Sequence, residues 1–236
     1  MTKLILSFFL SILSKIHLIR KEESMEVSNG LWQRQTKRHI ELIEFMQQCG
    51  IKEDSKNLKI LDVGCGKGLL INRLKRNGFN RVYGCDWIDS EESSFEYKKI
   101  NLNEMDSLKA YVDESFDVII ASDVIEHLEN PAAILREFQR IVKTDGHIFI
   151  TIPNCANIKE RLLFLMTGNS NRYRPQKNEY GHINYLPSKV FNELVARANL
   201  QIVKWGGGYN FLSGYFLNIK HPLLSYNLTY YLQPIK

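Results

Sequence analysis

The stretch that most limits what this chain can become is "KILDVGCGKGLLI", Lys59 to Ile71. It opens as an apolar run of strand length and closes on the first turns of an amphipathic helix. Between them stand Asp62 and three glycines, Gly64, Gly66 and Gly68, at every second position. Glycine serves where the backbone must turn left-handed or where another group must approach the main chain closely. A strand running straight into glycines and then into a helix therefore reads as a tight strand–loop–helix unit. Such units belong to sheets whose parallel strands are joined by helices.

The rest of the chain follows the same alternation. "LWQRQTKRHIELIEFMQQCG" reads as a helix, with Leu42, Phe45, Met46 and Cys49 on one face and Gly50 as its stop. After "KILDV", the spacing predicts a helix over Leu69 to Arg76, a second strand at "RVYGCD" and a weaker third at "FEYKKI". "FDVIIA" reads as a fourth strand and "HIFITI" as a fifth. Between these two, Asn130 and Pro131 form an N-cap followed by a first-turn proline. Ile134, Leu135, Phe138, Ile141 and Val142 make one stripe, and Gly146 is expected to end that helix. Continuous apolar strands alternating with amphipathic helices imply an α/β fold, doubly wound and Rossmann-like, with a sheet covered on both faces.

From Pro153 to Pro187 the regularity stops. "NIKERLLFLMTG" reads as a short helix, and the polar stretch after it makes residues 153–187 a lid-like insertion, because long irregular connections in compact domains are usually functional. Ser188 to Ala198 then predicts a helix with Val190, Phe191, Leu194, Val195 and Ala198 on one side, followed by a strand at "LQIVKW". The expected organisation is an amphipathic N-terminal segment (1–29), one domain (30–206) and an aromatic-rich tail (207–236) without an assigned structure.

Bulk properties remove some functions. The net charge of +5 is spread among acids, with no basic stripe interleaved with aromatics, so no nucleic-acid partner is expected. Cys49, Cys65, Cys85 and Cys155 are too far apart for a zinc spacing, so no metal is expected; a reducing, cytoplasmic setting suits them. The N-terminal "MTKLILSFFLSILSKIHLIRK" has an apolar core too short to span a bilayer. Residues 1–20 suit either peripheral contact with the inner face of a membrane or a helix docked on the protein's own core. Oligomeric state is not legible.

The glycine loop is more informative. Its D-x-G-x-G-x-G spacing differs from the G-x-G-x-x-G that seats a pyrophosphate, and no Lys-Ser/Thr follows to make a P-loop. A carboxylate at such a loop suits a ligand that carries positive charge and no phosphate, which describes S-adenosylmethionine. Asp86, at the tip of the second strand, can take both hydroxyls of a ribose.

With these residues in place, the chain resembles the class I S-adenosylmethionine-dependent methyltransferases. "ILDVGCGKG" looks like that family's first motif, "GCD" its second, and "FDVIIASDVIEHLENPAAILREFQRIVKTDGHIFITIPN" its segment from the fourth strand through the fifth. The resemblance implies a seven-stranded, mostly parallel sheet and S-adenosyl-L-methionine as cofactor. It implies that Asp62, Gly64 and Gly66, with Cys65 and Gly68 completing the loop, hold the methionine part. Asp86 would take the ribose, and Trp87, Asn101 and Leu102 the adenine end. Asn101 stands where the family often has an acid, and its side-chain carbonyl can still accept from the adenine amino group. Ser122, Asp123 and Val124 would face the methionine end and the sulfonium. The later stretch "TIPNCANIKERLLFLMTG" resembles enzymes of surface-glycan and lipid-quinone biosynthesis.

Methyl transfer needs an acceptor held in line with the sulfonium, and a hydroxyl acceptor also needs a base. His127, in "IEHL", and His182, in "GHIN", are the candidate catalytic residues. His127 serves equally well as a residue that shapes the cofactor pocket, and His182 as a solvent-exposed loop histidine. Glu126 is expected to point away from His127. Arg161, Arg172 and Arg174 offer a site for an anionic acceptor or, equally, a solvated loop. The expected activity is methylation of a hydroxyl on a small, glycan or lipid-linked acceptor. A quinone-ring O-methyltransferase and a cofactor-binding partner subunit without catalysis stand as alternatives.

Overall fold

The computed structural model describes residues 27–52, 57–89, 95–170, 181–208 and 221–235, with side chains from residue 37 onward. Residues 1–20, expected at a membrane, lie outside the described residues, as do Arg172 and Arg174. Among the described residues, no helix is long and apolar enough to cross a membrane. The chain divides into two compact units, Met1–Ile40 and Glu41–Lys236. Helix α1 (Val27–Gln48) begins in the first and ends in the second, which holds everything that follows.

The second unit is built from β1 (Lys59–Val63), α2 (Leu69–Arg76), β2 (Arg81–Asp86), β3 (Glu96–Lys99) and β4 (Phe116–Ser122). Then come α3 (Pro131–Ile141), β5 (Val142–Pro153), α4 (Ile158–Thr167), α5 (Ser188–Arg197), β6 (Leu200–Gly207) and β7 (Asn227–Pro234). The strands make one seven-stranded sheet in the order β3-β2-β1-β4-β5-β7-β6. The first five run parallel, and β7 lies antiparallel between β5 and β6. The α/β, doubly wound reading is thus what the chain adopts.

Neighbouring residues on each central strand feed two separate cores. Ile60, Val118, Ile120 and Phe149 pack with Ile71 and Leu74 of α2 and with Leu42 and Met46 of α1. Leu61, Ile119, Ile148 and Ile150 pack on the other face with Ile134, Leu135 and Phe138 of α3 and Phe191 of α5. Strands apolar at every position are required because both faces are covered. Each fully buried side chain of this size contributes about 1.5–3 kcal/mol. The α3 start is fixed by Asn130, whose Oδ1 accepts from the Ala133 amide at 3.1 Å, with Pro131 in the first turn.

Two expectations need correction, and a segment left unassigned gains a structure. Helix α3 ends at Ile141, and Val142 opens a 12-residue β5 that carries Gly146 inside it. Gly146 is there for close approach: a Cβ would lie 2.6 Å from Val142 Cγ2 and 3.0 Å from the Asp117 carbonyl. On α5, Phe191, Val195 and Ala198 are buried, but Val190 is exposed, since the helix meets the sheet along a narrower stripe. The unassigned tail supplies β7, buried almost throughout because it has strand partners on both sides.

Sequential strands move outward from β1 to β2 and β3, then β4 returns to the opposite side of β1. That reversal opens a crevice beyond the carboxyl ends of β1 and β4, the usual ligand position in open α/β sheets.

Candidate active site

The glycine loop occupies this crevice. Gly64, Gly66 and Gly68 have φ values of +72°, +52° and +74°, left-handed backbone that glycine adopts without penalty. The Gly64 amide donates to the Cys85 carbonyl at 2.8 Å, tying the loop to the end of β2. A Cβ on Gly64 would run into Val124 Cγ2, whereas one on Gly66 would meet nothing within 4 Å. The space about Gly66 is left open. Asp86 braces the loop: its Oδ2 accepts from the Gly66 amide at 2.8 Å and its Oδ1 from the Trp87 amide at 2.7 Å.

A cavity of about 440 Å³ lies against this loop. Of the residues singled out in the sequence, it is lined by Gly64, Gly66, Asp86, Trp87, Asn101, Leu102, Asp123, Val124 and His127. Ile88, Ile100, Asn103 and Leu128 also line it, apolar or small residues whose only sequence signal was proximity to a motif. Asn101 accepts from the Asn103 amide at 3.1 Å, and Asn103 in turn accepts from the Glu129 amide at 2.9 Å. These two bonds join the wall after β3 to the wall after β4.

Asp62, Cys65, Gly68, Ser122 and His182 are not on the cavity lining. Asp62 sits 2% exposed under the loop, and its Oδ2 has no hydrogen-bond partner among the described residues. Burial, and then the nearby Asp86 carboxylate, hold its pKa well above the ordinary carboxylate value. The Cys65 thiol is likewise pushed up by burial, then by Asp62 and Asp86, so it stays protonated and packs as an apolar residue. Ser122 shares a 2.9 Å hydrogen bond with the Thr151 hydroxyl of β5.

Asp123 has φ +55°, a left-handed conformation uncommon for a residue with a side chain. Bonds from its main chain and its side chain hold it there. Its amide donates to the Thr151 carbonyl at 3.0 Å, and its Oδ1 accepts from Asn227 Nδ2 of β7 at 3.0 Å.

The next turn, Ile125 to His127, carries the second part of the site. Gly181 to Asn184 is strapped across it: the Ile183 and Asn184 amides both donate to the Glu126 carbonyl at 3.0 Å. The His127 Nδ1 lies 3.2 Å from the Gly181 carbonyl. A carbonyl only accepts, so that nitrogen carries the proton and Nε2 keeps its lone pair in the neutral ring. The His127 and His182 rings meet edge to face, 4.7 Å between centroids. Glu126 does not turn away, contrary to expectation. Its carboxylate is 1% exposed, and Oε1 lies 3.9 Å from Nε2 of both histidines. The strap produces this convergence, since it carries His182 back over the turn. One donor atom from each of Glu126, His127 and His182 lies within 4.8 Å of the others, a composition able to hold a metal ion.

A sheet of this order with a carboxylate-braced glycine loop at its reversal defines the class I S-adenosylmethionine-dependent methyltransferase fold. The chain belongs to that family: a model described as a methyltransferase domain matches residues 32–204. A Rickettsia bellii protein named ubiquinone biosynthesis O-methyltransferase is 30% identical over 161 residues, covering 65% of this chain and 66% of that protein. The chain thus spans just under two thirds of that relative's length. A solved S-adenosylmethionine-dependent methyltransferase from Archaeoglobus fulgidus superposes with a TM-score of 0.60 at 14% identity, over 86% of this chain and 98% of that one. The Burkholderia thailandensis 1,6-didemethyltoxoflavin-N1-methyltransferase, solved with its substrate and S-adenosylhomocysteine, gives 0.59 at 12% identity, over 92% and 88%. At such identities the two structures speak for the fold alone.

S-adenosylmethionine is the cofactor of this family, and the residues present fit it. The cavity volume is in the usual range for small-molecule sites. Asp86 presents a carboxylate at one end, and the open space about Gly66 admits a ligand against bare backbone.

Proposed function

We propose that this protein transfers a methyl group from S-adenosylmethionine to a hydroxyl of a small acceptor, with a phenolic ring carrying an apolar tail as the first candidate. The bound cofactor supplies an electrophilic methyl group on a sulfonium. Asp86, Trp87 and Asn101 bind and orient its nucleoside end, while Gly64, Gly66, Asp123 and Val124 line the path towards the reacting end. The observation that carries the reading is His127, which lines the same cavity as the glycine loop and directs its Nε2 towards Glu126 and His182. A hydroxyl acceptor loses its proton as it attacks, and this histidine pair is the polar group placed to receive it.

Two observations support an apolar acceptor. The Rickettsia relative is named for an O-methylation in ubiquinone biosynthesis. Helix α4, which follows β5 on the same edge, exposes Leu162, Phe164, Leu165 and Met166. Peripheral contact of residues 1–20 with a membrane would bring the protein to such an acceptor, and deletion of that segment followed by membrane fractionation tests it.

Calorimetry with S-adenosylmethionine, followed by incubation of the labelled cofactor with catechols, prenylated phenols, glycans and soluble amines, tests the function. Mass gain on a hydroxyl acceptor is expected. Absence of cofactor binding rejects the reading, and binding without any methylated product favours a non-catalytic binding subunit. His182→Ala should leave cofactor binding unchanged and lower kcat about 10²–10⁴-fold, the usual contribution of a positioned base.

A further inference from the structure

We infer that Glu126, His127 and His182 form a binding site for one divalent cation of the borderline type, Mn²⁺, Co²⁺, Fe²⁺ or Zn²⁺, which holds the acceptor oxygen. The inference departs from the metal-free site expected from the cysteine spacing, because the ligands are a carboxylate and two histidines, of which His182 joins the adjacent Glu126 and His127 only through the fold.

The geometry carries it. Glu126 Oε1 stands 3.9 Å from Nε2 of His127 and 3.9 Å from Nε2 of His182, so three donors of different side chains face a common point. A cation about 2.1 Å from each donor would draw them to about 3.0–3.4 Å from one another. One imidazole is already oriented as metal-bound imidazoles are: Nδ1–H of His127 donates to the Gly181 carbonyl, which leaves Nε2 as the ligand. One oxygen and two imidazole nitrogens match borderline transition metals better than Ca²⁺ or Mg²⁺, which take oxygen-rich shells.

Three protein ligands leave coordination positions open, and His127 places the ion at the wall of the cofactor cavity. With the ion bound, the two histidine nitrogens are its ligands and no longer take the proton. An acceptor hydroxyl that binds the cation through oxygen therefore loses its proton to a bound water and so to solvent. The oxygen lone pair then forms the O–CH₃ bond while the S–CH₃ bond breaks with its electron pair going to sulfur. One proton, one methyl ether and a neutral thioether result. This part rests on the proposed hydroxyl methylation; binding of the ion does not.

The test uses the full chain freed of metal with EDTA and titrated with Mn²⁺, Co²⁺ and Zn²⁺ by calorimetry. One ion per chain is expected, with His182→Ala and Glu126→Gln weakening it at least about 10-fold. Thermal melting checks that each variant folds; should Glu126→Gln fail to, His182→Ala, at a less buried side chain, carries the comparison. The visible absorption of Co²⁺ in the wild-type chain gives a second reading, since two imidazoles shift and intensify it relative to the aqueous ion. No ion bound by the wild-type chain, or equal affinity in the folded variants, overturns the site. S-adenosylmethionine is titrated separately into the metal-free chain. Failure of that titration counts against the methyltransferase reading, and failure of the metal titration alone counts against this one. EDTA should abolish methylation and Mn²⁺ or Zn²⁺ restore it; full activity in EDTA overturns the role in acceptor binding.

Discussion

The amide of Gly66 donates to Oδ2 of Asp86 at 2.8 Å, across 20 residues of sequence. This bond joins the loop after β1 to the tip of β2, so the carboxylate proposed to take the ribose also fixes the loop backbone that lines the same cavity. Asp86→Ala should therefore weaken S-adenosylmethionine binding by roughly 10–100-fold, the range for a hydrogen-bonding group with charge. It should also lower Tm, because three loop amides lose their acceptor. Calorimetry and thermal melting check the two effects; a variant that binds normally would remove Asp86 from the site.

The two glycines that flank Cys65 should respond differently to alanine. Gly64→Ala meets Val124 and a left-handed φ together, and is expected to destabilise the fold by about 2–4 kcal/mol. Gly66→Ala meets only the backbone strain, about 1–2 kcal/mol. Denaturant titration of both gives the order, and a Gly66 variant less stable than the Gly64 variant contradicts it.

Asp62 should make stability depend on pH with a definite sign. Burial raises its pKa in the folded chain, so the folded state keeps a proton that the unfolded state gives up from about the ordinary value of 3.8 upward. Its contribution is complete below that value and is lost as pH rises through the raised folded pKa. Asp62→Asn removes the loss, so its stability relative to wild type should increase from pH 5 to pH 8 in urea unfolding. A difference that stays constant over this range would show that Asp62 ionises normally.

Asn227→Ala should affect the site from the far end of the chain. It removes the donor to Asp123 Oδ1 and leaves a carboxylate on strained backbone without that bond. Loss of about 1.5–3 kcal/mol is expected, the range for a hydrogen bond to a charged group. The KM for S-adenosylmethionine should rise as the wall after β4 loosens. An unchanged KM with lowered stability would confine Asn227 to holding β7.

The sequence by itself determined β1, the glycine turn, α2, β2, β4 and the order in which they follow. Each of these is written in a local pattern: an apolar run, a glycine that accepts positive φ, an Asn-Pro cap. The wall residues beside those motifs, such as Asp86, Asn101 and His127, came with them. What the tertiary structure alone decided is non-local. The aromatic tail became β7 because β5 and β6 offered it hydrogen-bonding edges on both sides, and no pattern within "NLTYYLQP" names its partners. Gly146 looked like a helix stop and is a strand residue, because pairing of Val142 with Phe116 outweighed helix continuation. Asn227 reaches Asp123 across 104 positions, and the strap folds His182 onto His127 and Glu126. Periodicity tells a chain which face to bury; which distant side chains converge depends on strand order and on where connecting segments return, and those are settled only when the sheet assembles.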